Sequence, residues 1–201
     1  MADLVILIPA SGSSRRMRGT DKLIEEVSGE PILRRTARIA VDTCARVLVT
    51  LPGTGPLVPA RRAVLAGLGL RILALPDAHE GMAASLRAGA RAIGPAAGLM
   101  VLLPDMPDIT IEDVQRLAAA FDDDPATPVR ATSADGTLDG HPVILPRRLM
   151  PEVAVLTGDC GARVVLEGET LRRVPLPAHH AVTDLDTPED WSAWRAGRGS
   201  G

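Results

Sequence analysis

The sequence predicts a three-layer α/β/α fold, an open and mostly parallel Rossmann-like sheet, from three observations. Four short apolar runs, Leu4 to Ile8, Val47 to Leu51, Arg71 to Leu75 and Leu99 to Leu103, are nearly continuous rather than alternating. That is the pattern of strands covered on both faces. The segments between them carry helical spacing, so strand and helix alternate through about residue 121, as right-handed crossovers on a parallel sheet require. At 201 residues and 46% hydrophobic content, one core and one domain over residues 1–195 are expected, with 196–201 as a flexible tail.

Each element follows from its local pattern. Pro31 to Thr43 sets Ile32, Leu33, Thr36, Ile39 and Ala40 along one side, with Pro31 suited to a first helical turn. Pro59 to Gly67 and Met82 to Ile93 read the same way, and Cys44 is expected as a small core residue. Thr110 with Asp113 three positions on forms a capping box for a helix to Phe121, and Asp108 is a further candidate cap there. Beyond it the regularity falls. Val129 to Ala131 is a candidate strand, "SADGTLDG" is turn-rich and "HPVILP" is apolar, which together suggest an antiparallel excursion. Helices from Arg147 and near Gly161 to Glu167, a strand at Leu171 to Val174, and a last helix from Pro188 with Trp191 and Trp194 on one face complete the chain.

Composition excludes several functions. With 22 basic and 25 acidic residues the net charge is -3, which gives no reason to expect nucleic acid or an anionic membrane as partner. One Phe, two Trp and no Tyr leave few rings for base stacking. No apolar run reaches the roughly 20 residues of a membrane span and the first residues lack signal-peptide features, so a cytoplasmic location is expected. Cys44 and Cys160 form no CxxC pair.

Chemistry is expected where ligands bind in such sheets, at the carboxyl ends of strands. After Ile8 comes "PASGSSRRMRGTDK", in which Ser11, Gly12, Ser13 and Ser14 can present backbone N–H groups to an anion while Arg15, Arg16, Arg18 and Lys22 add positive charge. A polyphosphate is the natural complement, although neither GxGxxG nor GxxxxGK[ST] occurs. Asp105 ends the fourth apolar run, where a carboxylate suits Mg²⁺ completed by phosphate and water. Asp184 and Asp186 alternate and could join it, with Asp184 preferred, while Asp186 or Thr187 could instead cap the helix at Pro188. Gly81, Ser85 and Gly89 recur every four residues, a pattern of close helix packing by itself, and Leu75 and Pro76 adjoin it. In "TGDCGAR", Asp159 and Arg163 are candidate substrate residues, Arg163 by pairing with an acceptor phosphate, or the segment could be a helix start capped by Asp159. His79, His179 and His180 have no ligand-like spacing with His141.

The loop "PASGSSRRMRGTDKL" resembles the signature of the MobA-like nucleotidyltransferases, approximately L-A-A-G-x-S-x-R-M-G-x-x-K, and within them is most similar to molybdenum cofactor cytidylyltransferases. Ala10, Gly12, Ser14, Arg16, Met17 and Lys22 stand at matching positions. Ser11 replaces the second alanine, Arg18 replaces the glycine after Met17, and one extra residue precedes Lys22. "EGMAASLRAG", "LPDMPDIT", "GHPVILP" and "DLDTPED" follow in the order of the family's base and ribose, metal, substrate and closing acidic segments. The resemblance implies nucleotide contacts by Ala10, Ser11 to Ser14, Arg16, Lys22, Pro76, Gly81, Met82 and Ser85, catalysis by Arg16, Lys22 and Asp105, and substrate positioning by His141. It further implies Mg²⁺-dependent transfer of CMP from CTP to the terminal phosphate of a molybdopterin-type acceptor, whose product a molybdoenzyme could receive. Open alternatives are GTP as donor, a sugar phosphate or methylerythritol phosphate as acceptor, and a non-catalytic cofactor carrier.

Overall fold

A computed structural model describes residues 3–43, 45–158 and 161–198. Cys44 and Asp159, expected as a core residue and a candidate substrate contact, lie outside the described residues. In chain order the elements are β1 (Leu4–Pro9), β2 (Glu26–Val27), β3 (Glu30–Pro31), α1 (Ile32–Asp42), β4 (Arg46–Pro52), α2 (Val58–Leu65), β5 (Arg71–Leu75), α3 (Met82–Ala92) and β6 (Gly98–Val101). There follow α4 (Ile111–Asp123), β7 (Val129–Thr132), β8 (Asp139–Pro146), α5 (Met150–Val153), α6 (Ala162–Leu166), β9 (Arg172–Pro175) and α7 (Pro188–Arg198).

Seven strands form one sheet in the order β5-β4-β1-β6-β8-β7-β9. β5, β4, β1 and β6 are parallel, and β8 runs antiparallel to both β6 and β7. The chain leaves β1 for β4 and β5 on one side and returns as β6 on the other, so the strand order reverses between β1 and β6. Loops after those two strands therefore meet in the crevice where open α/β sheets bind ligands.

Alternation along the central strands assigns the two cores. Leu4, Ile6 and Ile8 point to the side of α1, α4 and Trp191 of α7, while Val5 and Leu7 point to α3, α5 and α6. Gly98 permits α4 to sit close to β6: a Cβ there would stand 2.7 Å from Phe121 Cζ. Trp191 and Trp194 meet edge to face with ring centroids 6.3 Å apart. Among the described residues no helix is long and apolar enough to cross a membrane.

Four details differ from expectation. β5 is not covered on both faces, because it is the edge strand and much of it is exposed. Pro31 precedes α1 in the short β2–β3 ribbon instead of forming its first turn. Asp108 does not cap α4; Thr110 does, in a reciprocal box with Asp113, and Asp108 accepts from Trp194 Nε1. α7 continues to Arg198, so residues 196–198 are helix rather than tail.

Candidate active site

The loop after β1 is built around a buried guanidinium. Asp21 caps the short turn beginning at Lys22 by accepting from the Leu23 amide, and it is paired with Arg61 of α2, which is fully buried. Arg61 Nε donates to Asp21 Oδ2 at 2.7 Å, one terminal nitrogen to the carbonyls of Ala10 and Gly12 at 2.7 Å each, and the other to Asp21 Oδ1 at 2.8 Å and Ser14 Oγ at 3.1 Å. Burial would raise the Asp21 carboxyl, but the Arg61 hydrogen bonds and charge outweigh it and hold the group below its ordinary value. On the other flank Ser11 shares a buried chain of hydroxyls with Ser85 and Thr50, each step 2.9 Å.

That pinning places Lys22 over the ends of β6 and the segment before α7. Its Nζ donates to Asp105 Oδ2 and to Asp186 Oδ1, both at 2.6 Å, and Arg16 meets Asp186 Oδ2 at 2.6 Å. The two chain segments are tied by the Leu185 amide, which donates to the Asp105 carbonyl at 3.0 Å. Burial disfavours the charge on Lys22, yet Asp105 and Asp186 more than compensate and leave the amine above its usual value. Asp184 is pushed up, first by burial and then by Asp105 and Asp186. Asp105 Oδ1 is buried without a hydrogen-bond partner. A second positive centre would satisfy both, and carboxylate oxygens are the donors Mg²⁺ takes. Among the described residues no group of three or more His, Cys, Asp or Glu is arranged to hold a metal ion, Asp105, Asp184 and Asp186 included, so Mg²⁺ here would rest on one or two carboxylates with phosphate and water.

Asp186 shares the Lys22 ammonium with Asp105, while Asp184 lies close enough to both carboxylates for their charge to raise it. The Ser85 side chain is fully buried, with its hydroxyl between those of Ser11 and Thr50, so it supports the loop from beneath. Gly89 is a packing residue, as a Cβ would stand 2.8 Å from Leu7 Cδ2. Gly81 heads α3 at a φ of 74°, and Pro76 follows β5 on the exposed edge. Arg15 is exposed, and Arg18 pairs with Glu189 at 2.8 Å on the surface.

His141 and Arg163 come together, with Met82 and Arg130, around a cavity of about 100 Å³ between α3, β8 and α6. Burial, reinforced by Arg130, pushes the His141 imidazole down to about 4 against a smaller opposing pull from Asp105, and its buried Nδ1 has no partner. The ring is therefore a neutral hydrogen-bonding group near neutral pH. A larger open hollow of about 570 Å³, lined partly by Thr20, Glu25 and Leu57, lies on the outside of the loop and includes none of Lys22, Asp105 and Asp186.

Arg61 is the site residue that the sequence reading missed. The available signal was its place on the inner stripe of α2, where the other buried residue is Leu65, four positions away. A charge on an apolar stripe needs a buried partner.

Comparison with known proteins agrees with this architecture. Residues 6–176 match the MobA-like NTP transferase domain. The chain is 29% identical over 167 residues to the nicotine blue oxidoreductase of Paenarthrobacter nicotinovorans, covering 78% of each chain. It is 52% identical over 46 residues to a probable molybdenum cofactor guanylyltransferase of Synechococcus elongatus, 23% of each chain. Among solved structures, Rv0371c of Mycobacterium tuberculosis superimposes with a TM-score of 0.80 at 26% identity, over 96% of this chain and 97% of that one. A CMP:2-keto-3-deoxy-manno-octonic acid synthetase in complex with CTP shares the fold with a TM-score of 0.75 at 19% identity, over 98% and 99% of the chains. A match across most of the sheet, with the cationic loop and the carboxylates converging at its strand ends, makes this chain a member of the MobA-like NTP transferase family.

Proposed function

We propose that the chain is a Mg²⁺-dependent cytidylyltransferase that moves CMP from CTP to the terminal phosphate of a molybdopterin-type acceptor and releases pyrophosphate. The observation that carries the reading is Lys22 held at 2.6 Å from both Asp105 and Asp186, beside a loop of serine and glycine. The acceptor phosphate is already nucleophilic, so the chain need only align it and stabilise charge on the phosphate being attacked. Ser11 to Ser14 supply amides for the triphosphate, and Lys22 and Arg16 neutralise the departing pyrophosphate. Asp105 and Asp186 would hold Mg²⁺, with Asp184 beside them, and the bound ion would supply Lewis-acid charge neutralisation of the phosphates. Arg163 and Arg130, flanking neutral His141, favour an anionic acceptor in the adjoining cavity.

The test is pyrophosphate release measured with CTP, GTP, ATP and UTP against molybdopterin, methylerythritol phosphate and sugar phosphates. CTP with molybdopterin should dominate. GTP preference would move the chain to the guanylyl branch, in keeping with the guanylyltransferase relative. The name of the nicotine blue oxidoreductase relative favours one second reading, hydride transfer to a conjugated acceptor. NADH or NADPH consumption without pyrophosphate release would establish that reading instead.

A further inference from the structure

Arg61 does more than balance Asp21. A guanidinium has five N–H donors, and Arg61 places them on five acceptors that all belong to residues 10–21: both Asp21 oxygens, Ser14 Oγ, and the carbonyls of Ala10 and Gly12. Two of those acceptors are backbone oxygens separated by one residue. In a planar trans peptide the C=O of one residue and the N–H of the next point in opposite directions. Drawing the Ala10 and Gly12 oxygens toward Arg61 therefore turns the Ser11 and Ser13 amides away from it. Among the described residues neither amide meets a protein acceptor.

We propose that Arg61 is a positioning residue that presets the Ser11 and Ser13 amides as donors to a linear polyphosphate. The inference rests on the nucleotidyl-transfer reading and adds to it how the loop acquires its anion affinity. An unrestrained glycine and serine loop would have to orient its peptides when the ligand arrives; here a group buried beneath the loop has already done so, which is what preorganised stabilisation requires. The sequence distance matters too: the organiser lies on α2, 49 residues from Gly12. Arg61 touches no phosphate in this scheme.

Lysine cannot reproduce the effect, because three donors on one nitrogen cannot span five acceptors fixed by a planar fork. Simple truncation of Arg61 would strand a buried Asp21 carboxylate and endanger folding. A double variant, Arg61→Met with Asp21→Leu, removes both charges together, a type of replacement that is often neutral or stabilising.

The probe is magnesium tripolyphosphate, followed by calorimetry and by the amide resonances of ¹⁵N-labelled protein. In the wild type, Ser11 and Ser13 amides should move downfield on binding. Arg61→Lys and the double variant should bind the probe roughly tenfold or more weakly, as expected for losing aligned donors to an anion, and those shifts should shrink while melting temperature is retained in the double variant. Wild-type affinity in either folded variant would overturn the proposal. So would wild-type binding that leaves the Ser11 and Ser13 resonances in place, an outcome that needs no variant and leaves nucleotide binding itself intact. If the wild type binds neither tripolyphosphate nor CTP, the cytidylyltransferase reading fails and takes this proposal with it.

Discussion

Arg18 stands at φ 54° and ψ 38°, the left-handed region that favours glycine. A side chain there costs roughly 1–2 kcal/mol, which exceeds the roughly 0.5–1 kcal/mol entropic disadvantage of glycine. Its ion pair with Glu189 is too exposed to change that balance. Arg18→Gly should therefore raise the melting temperature by about 2 °C, following the usual 2–4 °C per kcal/mol at this size; a fall would show that Glu189 holds the loop more firmly than its exposure suggests. His141 supplies a different single-residue prediction. Its folded value of about 4 lies below the unfolded 6.5 because of burial and then Arg130. Between those pH values the unfolded chain takes up the proton and the folded chain does not, so stability is intact above about pH 6.5 and declines as pH falls. The loss should approach about 3 kcal/mol near pH 4, and denaturant titrations of His141→Gln should show a flatter profile over that window. Asp21 acts lower: its depressed carboxyl contributes stability above its unfolded value of 3.8 that is lost as pH falls through the folded value.

Among elements, β8 couples the sheet to the site. The His141 amide donates to the Ala181 carbonyl at 2.9 Å, and a Cβ on Gly140 would stand 2.0 Å from that same oxygen. Backbone cannot swing aside as a side-chain tip can, so Gly140→Ala must push residues 181–186 away from β8. We expect a loss on the order of 2 kcal/mol from overpacking together with at least a tenfold fall in activity, because Asp186 travels with that segment; melting curves and pyrophosphate release would check both. Elements of this kind divide by how much of their physics is local. β1, β4 and β6 and the helices α1 to α4 were legible because burial on two faces leaves a continuous apolar run and a helical face leaves a periodic one. β2 and β3 left none, since two-residue strands have no period. The exposed character of β5 depends on its place at the sheet edge, which no local pattern records.

At the scale of the molecule, the site is assembled from the loop after β1, the turn after β6 and the segment before α7, brought together where the strand order reverses. Clustered cations and strand-end carboxylates were visible in sequence because each cluster is contiguous. The Lys22 bridge across 83 and 164 positions, and Arg61 beneath the loop, arise only when the crossovers close. A net charge of -3 likewise conceals a centre in which cations and acids alternate within hydrogen-bond distance. Because one ligand would touch all three segments, it should stabilise the whole fold. At one hundred times the dissociation constant, binding contributes about 2.7 kcal/mol, or about 5–10 °C at this chain length. Mg²⁺ with CTP should produce that shift in a thermal melt, and chelation by EDTA should remove most of it. Lys22→Ala separates the roles further: without its ammonium, Asp105 loses its cation and Asp186 keeps only the exposed Arg16, so the free variant should melt below the wild type. Mg²⁺ alone should then raise the variant's melting temperature more than the wild type's, since a cation replaces the missing charge. Equal responses of the two proteins to Mg²⁺ would remove Asp105 and Asp186 as its ligands, while a full CTP shift in EDTA would show that the triphosphate is held by the loop alone.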